Sequence, residues 1–358
     1  MQFLRFRKKE PDAAARAEAF AATLRARGRF ITLIMDVGNL CNIRCRFCHM
    51  ATEPYRGIKA DNYTRDEFLA RFGTLLPHIH MLQLSCGAEP FMNPHFTEIL
   101  RALKDFGGRI QFSTNGMLVN DPAIAAISEL HDCEIAISID GSEVDTVEWL
   151  RDRLKYDKMA EKIRALVRAR DAQPQKRITI TAAFSIVEPN LRQVPLFVAV
   201  AKELGFDLVR YRMVEMDDLF SDEIREKMRI LDPALVPVML AQAQARGQEL
   251  GIEIDIPSLL TVDEMMARAK TSPDLPEGEP FCNWPFDHIF VDSVNVRRTM
   301  RKVLPCPYWP DTPADESEQG DLLSVFQGSF FSACREALID RNKTPEWCKK
   351  CPIGLGRF

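Results

Sequence analysis

Apolar, β-branched runs alternate with helical stretches along most of the chain. Strand-like runs fall at 30–37, 81–85, 109–113, 134–139, 177–186 and 207–213. Helix punctuation separates them: Thr64 with Glu67 forms a capping box, Asp121 before Pro122 opens a helix, and Gly107 and Gly205 close two others. Six β-then-α units in succession predict an α/β fold, a parallel sheet with right-handed crossovers curved into a partial (β/α)6 TIM-like barrel. An active site in such a fold lies at the C-terminal ends of the strands.

The flanks read differently. Residues 11–27, rich in Ala and Arg and followed by Gly28, predict an N-terminal helix that packs as a lid or brace. Two charged helical stretches follow residue 215, then a Pro-rich linker at 272–280. A hairpin (287–291 and 294–303), an acidic loop, a helix near 321–341 and a Cys-rich tail predict a small C-terminal α+β domain. The expected organisation is a helical extension at 1–29, the barrel at 30–215, a helical linker region at 216–280 and the C-terminal domain at 281–358.

Composition narrows the function classes. A chain of 358 residues with 46% hydrophobic and 27% charged residues can bury a full core. A net charge of -4 leaves no electrostatic footprint for nucleic acid, and Arg5, Arg7, Lys8 and Lys9 read as a solvated face. No stretch reaches the roughly 18 uninterrupted apolar residues of a membrane span, and no signal-peptide core is present. A cytoplasmic location without nucleic-acid or membrane partners is therefore expected, and in that reducing compartment the ten cysteines point to metal or redox chemistry.

Directly after the first strand run comes Cys41-Asn-Ile-Arg-Cys45-Arg-Phe-Cys48. Three thiolates on so short a loop can hold three irons of a cubane cluster and leave the fourth open; zinc, the alternative, usually takes four ligands. Cys282, Cys306, Cys348 and Cys351 form a second set, able to enclose either a complete [4Fe-4S] cluster or a zinc ion. Cys133 reads as core. Cys334, on a predicted helix, reads as a small buried residue, with a fifth ligand or hydrogen-atom donor as the alternative.

The first loop resembles the radical S-adenosylmethionine (SAM) superfamily, whose defining motif is this C-x3-C-x2-C spacing after the first strand of a partial barrel. The resemblance implies that SAM chelates the open iron and receives the electron that cleaves it to a 5′-deoxyadenosyl radical. It places Phe47 beside the adenine. Ser85-Cys-Gly-Ala-Glu-Pro90 resembles the family's Gly-x-Gly-Glu-Pro segment, implying contact of Ala88 and Glu89 with the methionyl amine, although Cys86 and Ala88 stand where glycine is common. Ser113-Thr-Asn-Gly116 implies Asn115 near SAM or substrate, Ser138-Ile-Asp-Gly141 implies Ser138 at the ribose or carboxylate, and strands five and six offer Ser185 and Met213.

The C-terminal cysteines resemble the extension called SPASM, or twitch in its shorter form, which holds auxiliary iron–sulfur clusters. Five cysteines after residue 280 suit one such cluster, giving two [4Fe-4S] clusters and SAM as the expected cofactors. The implied function is a radical SAM enzyme that oxidises or rearranges a small molecule, supplied with electrons by an external carrier such as flavodoxin or ferredoxin. His49, Arg210, Tyr211 and Arg212 are candidates for a general base. A peptide maturase is the alternative, disfavoured because the stretch before residue 30 is short for a leader-binding domain. A non-catalytic zinc or iron–sulfur scaffold is the third reading.

Overall fold

The computed structural model describes residues 12–214, 216, 218–256, 280–292, 302–307, 321–340, 342–349 and 351. Its strands are β1 (Ile31–Met35), β2 (Arg44–Cys45), β3 (Ile79–Gln83), β4 (Arg109–Thr114), β5 (Asp132–Ser138), β6 (Arg151–Asp152), β7 (Arg177–Ile186), β8 (Leu208–Met213), β9 (Glu253–Asp255), β10 (His288–Asp292) and β11 (Lys302–Leu304). Nine of them form one sheet in the order β11-β10-β1-β3-β4-β5-β7-β8-β9, while β2 and β6 make a separate two-stranded pair. Every pairing in the large sheet is parallel except β10 with β11.

From β1 to β8, with β2 and β6 set aside, strands successive along the chain are neighbours in the sheet, as consecutive right-handed βα units require, and the sheet curls into a partial TIM-like barrel. The connecting helices include α1 (Ala13–Arg25), α2 (Arg65–Phe72), α3 (Phe96–Ala102), α4 (Asp121–Glu129), α5 (Val144–Leu150), α6 (Tyr156–Asp171), α7 (Val194–Leu204), α8 (Asp222–Met228) and α9 (Leu235–Leu250). The centre of β5 is buried on both faces, as suits its apolar Ile135, Ala136 and Ile137. Phe112 and Phe184 from the sheet meet Phe96 and Phe197 from α3 and α7 at 5.3 and 5.0 Å between ring centroids. Burial of each such ring stabilises the fold by about 2 to 3 kcal/mol.

The local signals acted where they were strongest. Thr64 Oγ1 accepts from the Glu67 N–H at 3.2 Å, and the Thr64 N–H donates back to Glu67 Oε2 at 2.9 Å, closing the capping box of α2. Gly205 ends α7 at φ 87°, a backbone conformation that a β-carbon disfavours. Gly107 does not cap α3, which ends at Ala102 because the chain turns at Leu103. The cap of α4 is Asn120, one residue earlier than the Asp-Pro pair implied, and its Oδ1 accepts from Ala123 N–H at 3.0 Å.

The helix expected near 321–341 is two helices, Leu322–Gln327 and Ser329–Ile339, divided at Gly328, whose backbone is extended. Helix α1 does act as a brace: Ala17, Ala21 and Leu24 pack on Phe286 and Ile339, and Phe20 meets Phe286 edge-on at 4.9 Å. The segments at 272–279, 293–301 and 308–320 lie outside the described residues.

Candidate functional site

A cavity of about 790 Å3 opens at the C-terminal ends of β1, β3, β4, β5 and β7. Its wall includes Cys41, Cys45, Phe47 and Cys48 from the loop after β1, and Ala88 and Glu89 from the loop after β3. Asn115, Ser138 and Ser185 follow from β4, β5 and β7, and Phe290 with Pro307 closes the wall from the C-terminal segment. Eight sequence-derived candidates for the first site (Cys41, Cys45, Phe47, Cys48, Ala88, Glu89, Asn115 and Ser138) thus share one cavity. Met213 does not join them: it ends β8 away from the wall and is 36% exposed.

Glu89 ties two of the loops together. Its carboxylate accepts from Thr114 Oγ1 at 2.7 Å, from the Asn115 N–H at 2.8 Å and from the Phe91 N–H at 3.3 Å. Burial pushes its carboxyl up to about 7, against the pull of these three donors. Three donors on about four lone-pair sites leave room for one more. Asn115 in turn donates from Nδ2 to Asn42 Oδ1 at 2.7 Å, bringing the corner after β4 against the cysteine loop.

Two residues that the motifs did not single out complete the site. Asp36, just past β1, accepts the backbone N–H groups of Cys86, Gly87 and Ala88 on one oxygen at 2.7, 3.1 and 3.2 Å. That carboxylate shapes the loop after β3 where glycines are fewer than the resemblance leads one to expect. Arg151 is placed by the β2–β6 pairing, in which it stands opposite Cys45. Its Nη1 donates to Cys45 Sγ at 3.4 Å, its Nη2 pairs with Asp140 Oδ2 at 2.6 Å, and its guanidinium stands 6.0 Å over the Phe47 ring. Burial pushes the Asp140 carboxyl up, while Arg151 and the Ser185 N–H pull it back.

Three of the four candidates for a general base are otherwise engaged. Tyr211 is fully buried and donates to the Val194 carbonyl at 2.6 Å, and burial raises its phenol far above the usual range. Arg210 pairs with Glu134 and with Asp255, and Arg212 pairs with Asp255. His49 lines the cavity beside Tyr55 and Phe220, with ring centroids 6.4 and 5.1 Å away.

The second set of thiols also gathers. Burial raises Cys348 to about 12, and Cys306, Cys351 and Cys282 each add to the rise. Cys334 is buried, and Cys306 and Cys348 contribute to its own rise to about 12, so it lies beside that set rather than alone in the core. Cys133 is buried in β5, and Cys86 sits exposed on the rim with its thiol 3.7 Å from the Met35 carbonyl.

Residues 35–184 match the family model of the radical SAM superfamily. The match covers less than half of the chain and marks a radical SAM domain, as found in enzymes of that superfamily. A curated relative, the tungsten-containing aldehyde ferredoxin oxidoreductase cofactor-modifying protein of Pyrococcus furiosus, is 24% identical over 177 residues, 49% of either chain. The chain thus spans about half the length of the curated relative it matches. Among solved structures, SuiB of Streptococcus suis bound to S-adenosylmethionine matches with a TM-score of 0.64 at 13% identity, covering 92% of this chain and 74% of that one. Native anSMEcpe with bound AdoMet matches with a TM-score of 0.54 at 16% identity, covering 90% and 88%. At these identities the likeness to solved structures is one of fold.

The family match implies a [4Fe-4S] cluster and SAM, and the donor set of this domain fits them. Burial holds the thiols of Cys41, Cys45 and Cys48 up at about 11, so loading iron must displace protons, with Arg151 as a fixed compensating charge. Among the described residues no three Cys, His, Asp or Glu side chains converge as ligands of a single ion do. Cubane ligands sit on separate irons and need no such convergence. No helix among the described residues is long and apolar enough to cross a membrane.

Proposed function

We propose that this chain cleaves SAM reductively and uses the resulting radical to take a hydrogen atom from a residue of a peptide substrate. The observation that carries this reading is the shared wall on which Cys41, Cys45 and Cys48 meet Phe47, Glu89, Asn115 and Ser138. A [4Fe-4S] cluster on the three thiols would supply the electron that cleaves SAM to methionine and a 5′-deoxyadenosyl radical. The chain's own residues bind and orient. The remaining acceptor site on Glu89 suits an ammonium group, the positive charge of Arg151 favours a carboxylate, Phe47 offers a ring to the adenine, and Asp36 holds the Ala88 backbone in place. We place the SAM-binding barrel at 30–215 and assign Met213 no contact with SAM.

The second thiol set supports one auxiliary [4Fe-4S] cluster on Cys282, Cys306, Cys348 and Cys351, in a SPASM or twitch-type region at 281–358. Cys306 precedes Pro307, which lines the SAM cavity, so an auxiliary cluster held there would stand next to the substrate space. A peptide substrate is supported by SuiB bound to precursor peptide SuiA and by anSMEcpe with the Kp18Cys peptide, whose folds cover 93% and 89% of this chain at TM-scores of 0.60 and 0.53. A small-molecule substrate is the second reading, favoured by the name of the cofactor-modifying relative.

The test is anaerobic reconstitution followed by iron analysis, Mössbauer and EPR spectra, and mass-spectrometric detection of 5′-deoxyadenosine. Wild type should hold about eight irons and the Cys41→Ala/Cys45→Ala/Cys48→Ala variant about four, with 5′-deoxyadenosine lost. A fully loaded wild type that never forms 5′-deoxyadenosine under strong reductant refutes SAM cleavage. Deuterium moving from a labelled precursor peptide into 5′-deoxyadenosine supports the peptide substrate, and its appearance only from a small molecule favours the second reading.

A further inference from the structure

The loop that carries Cys41, Cys45 and Cys48 has two faces. Ile43, Cys45 and Phe47 line the SAM cavity, whereas Arg44 and Arg46 line a separate outer basin of about 760 Å3. The partner strand does the same, with Arg151 on the cavity and Asp152 on the basin, and Arg153 just past the strand joins Asp152 there. Successive side chains of a strand point to opposite faces, so the β2–β6 pair forms a partition one backbone layer thick between the basin and the thiols.

The basin is cationic in a chain whose net charge is -4. Arg44, Arg46, Arg56 and Arg153 line it, and its two carboxylates, Glu53 and Asp152, pair with Arg56 and Arg153, which leaves Arg44 and Arg46 as the excess positive charge. Arg44 donates to the carbonyls of Cys41 and Ile43 at 3.0 and 3.2 Å, and Arg46 donates to that of Trp149 at 2.8 Å, so their charges are not neutralised by these bonds. Asp218, Asp222 and Glu223 lie nearby on and before α8, but Arg225 and Lys227 pair with them. Apolar surface accompanies the charge: Leu219 on the basin wall is 42% exposed, and Trp149, 38% exposed, lies 4.7 Å beneath the Arg46 guanidinium.

We propose that this basin docks an acidic one-electron carrier protein, which delivers its electron through the outer face of the cysteine loop. The inference rests on the SAM-cleaving reading above and names that site's redox partner. SAM and substrate would fill the inner cavity, leaving the basin as the approach one backbone layer from the thiols. A mixed cationic and apolar surface suits a brief encounter with an acidic partner, because charge raises the association rate while the small contact lets the oxidised carrier leave. In the transfer the carrier loses one electron and the cluster gains it. No bond or proton moves in that step.

The test compares wild type with Arg56→Glu/Arg153→Glu in the cluster-loaded protein, using flavodoxin and, in parallel, ferredoxin. Calorimetry at low and high salt reads binding of the oxidised carrier, and 5′-deoxyadenosine is measured with each reduced carrier and with dithionite. Expected are at least a roughly tenfold loss of affinity and of carrier-driven rate, a flatter salt dependence, and a dithionite-driven rate within about twofold of wild type. Arg56→Lys/Arg153→Lys should bind as wild type does. If the Glu variant fails to fold, Arg56→Gln/Arg153→Gln takes its place under the same criteria.

Unchanged carrier affinity with an intact dithionite rate overturns the docking site, as does failure of wild type to bind either carrier. Absence of 5′-deoxyadenosine from wild type with dithionite overturns SAM cleavage itself, and the docking inference with it.

Discussion

Glu89 offers a direct measurement of how the site stores unfavourable burial. In the cluster-free protein its carboxyl is pushed from an ordinary 4.5 to about 7. The folded chain therefore keeps a proton that the unfolded chain has already released across that interval. Stability from this group is fully present below about pH 4.5 and is lost as pH rises through about 7, an effect of about 3 kcal/mol at ~1.4 kcal/mol per pKa unit. Glu89→Gln abolishes the titration but sets an amide NH2 against the donors Thr114, Asn115 and Phe91, at a cost of about 1 to 3 kcal/mol that does not vary with pH. Urea denaturation of both cluster-free proteins, followed by circular dichroism between pH 5 and 8, isolates the titrating part as a difference. The variant should gain on wild type by most of that 3 kcal/mol as pH rises; a difference that stays flat across the range refutes the raised carboxyl. A bound cation, such as the SAM ammonium, would oppose the rise and shift the transition to lower pH.

Other perturbations test the remaining contacts. Arg151→Leu strands the buried Asp140 carboxylate and should destabilise the fold by about 3 to 5 kcal/mol, most of it recovered in Arg151→Leu/Asp140→Leu when both are unfolded in urea. Asp36→Ala removes the acceptor of three N–H groups; SAM affinity measured by calorimetry should fall on the order of tenfold, and the fold should lose about 2 to 3 kcal/mol. Cys348→Ala should lower reconstituted iron from about eight to about four per chain, whereas Cys334→Ala should leave it near eight if four thiolates suffice, and loss of iron in the latter would make Cys334 a ligand.

The strand and helix alternation, the capping box at Thr64 and the cysteine loop were legible in the sequence because each is local. Periodicity, a cap and a three-residue spacing are properties of a dozen consecutive residues. The Glu89, Asn115 and Ser138 segments were legible for a related reason, since residues just past parallel strands all arrive at the same end of the sheet. That logic overreached at Met213 and at Tyr211. A position on a strand carries no record of which face its side chain takes once the sheet has curved, and Tyr211 faces Val194 while Met213 faces solvent.

What the sequence by itself determined, then, was the set of βα units, the cysteine loop after β1 and the order in which candidate residues arrive at the strand ends. Only the tertiary structure decided which distant groups complete the site. Arg151 reaches Cys45 across 106 positions through a two-residue strand pair, and Asp36 reaches the loop after β3 across about fifty. Strand β10 joins β1 and brings Phe290 into the wall of the cavity at the strand ends. Such contacts have no periodic signature: they follow from how the sheet curls, how loops close over its end, and which buried charges must find a partner to offset their desolvation. The two faces of the cysteine loop arise in the same way, because a strand's alternation becomes a partition only once a cavity lies on either side of it.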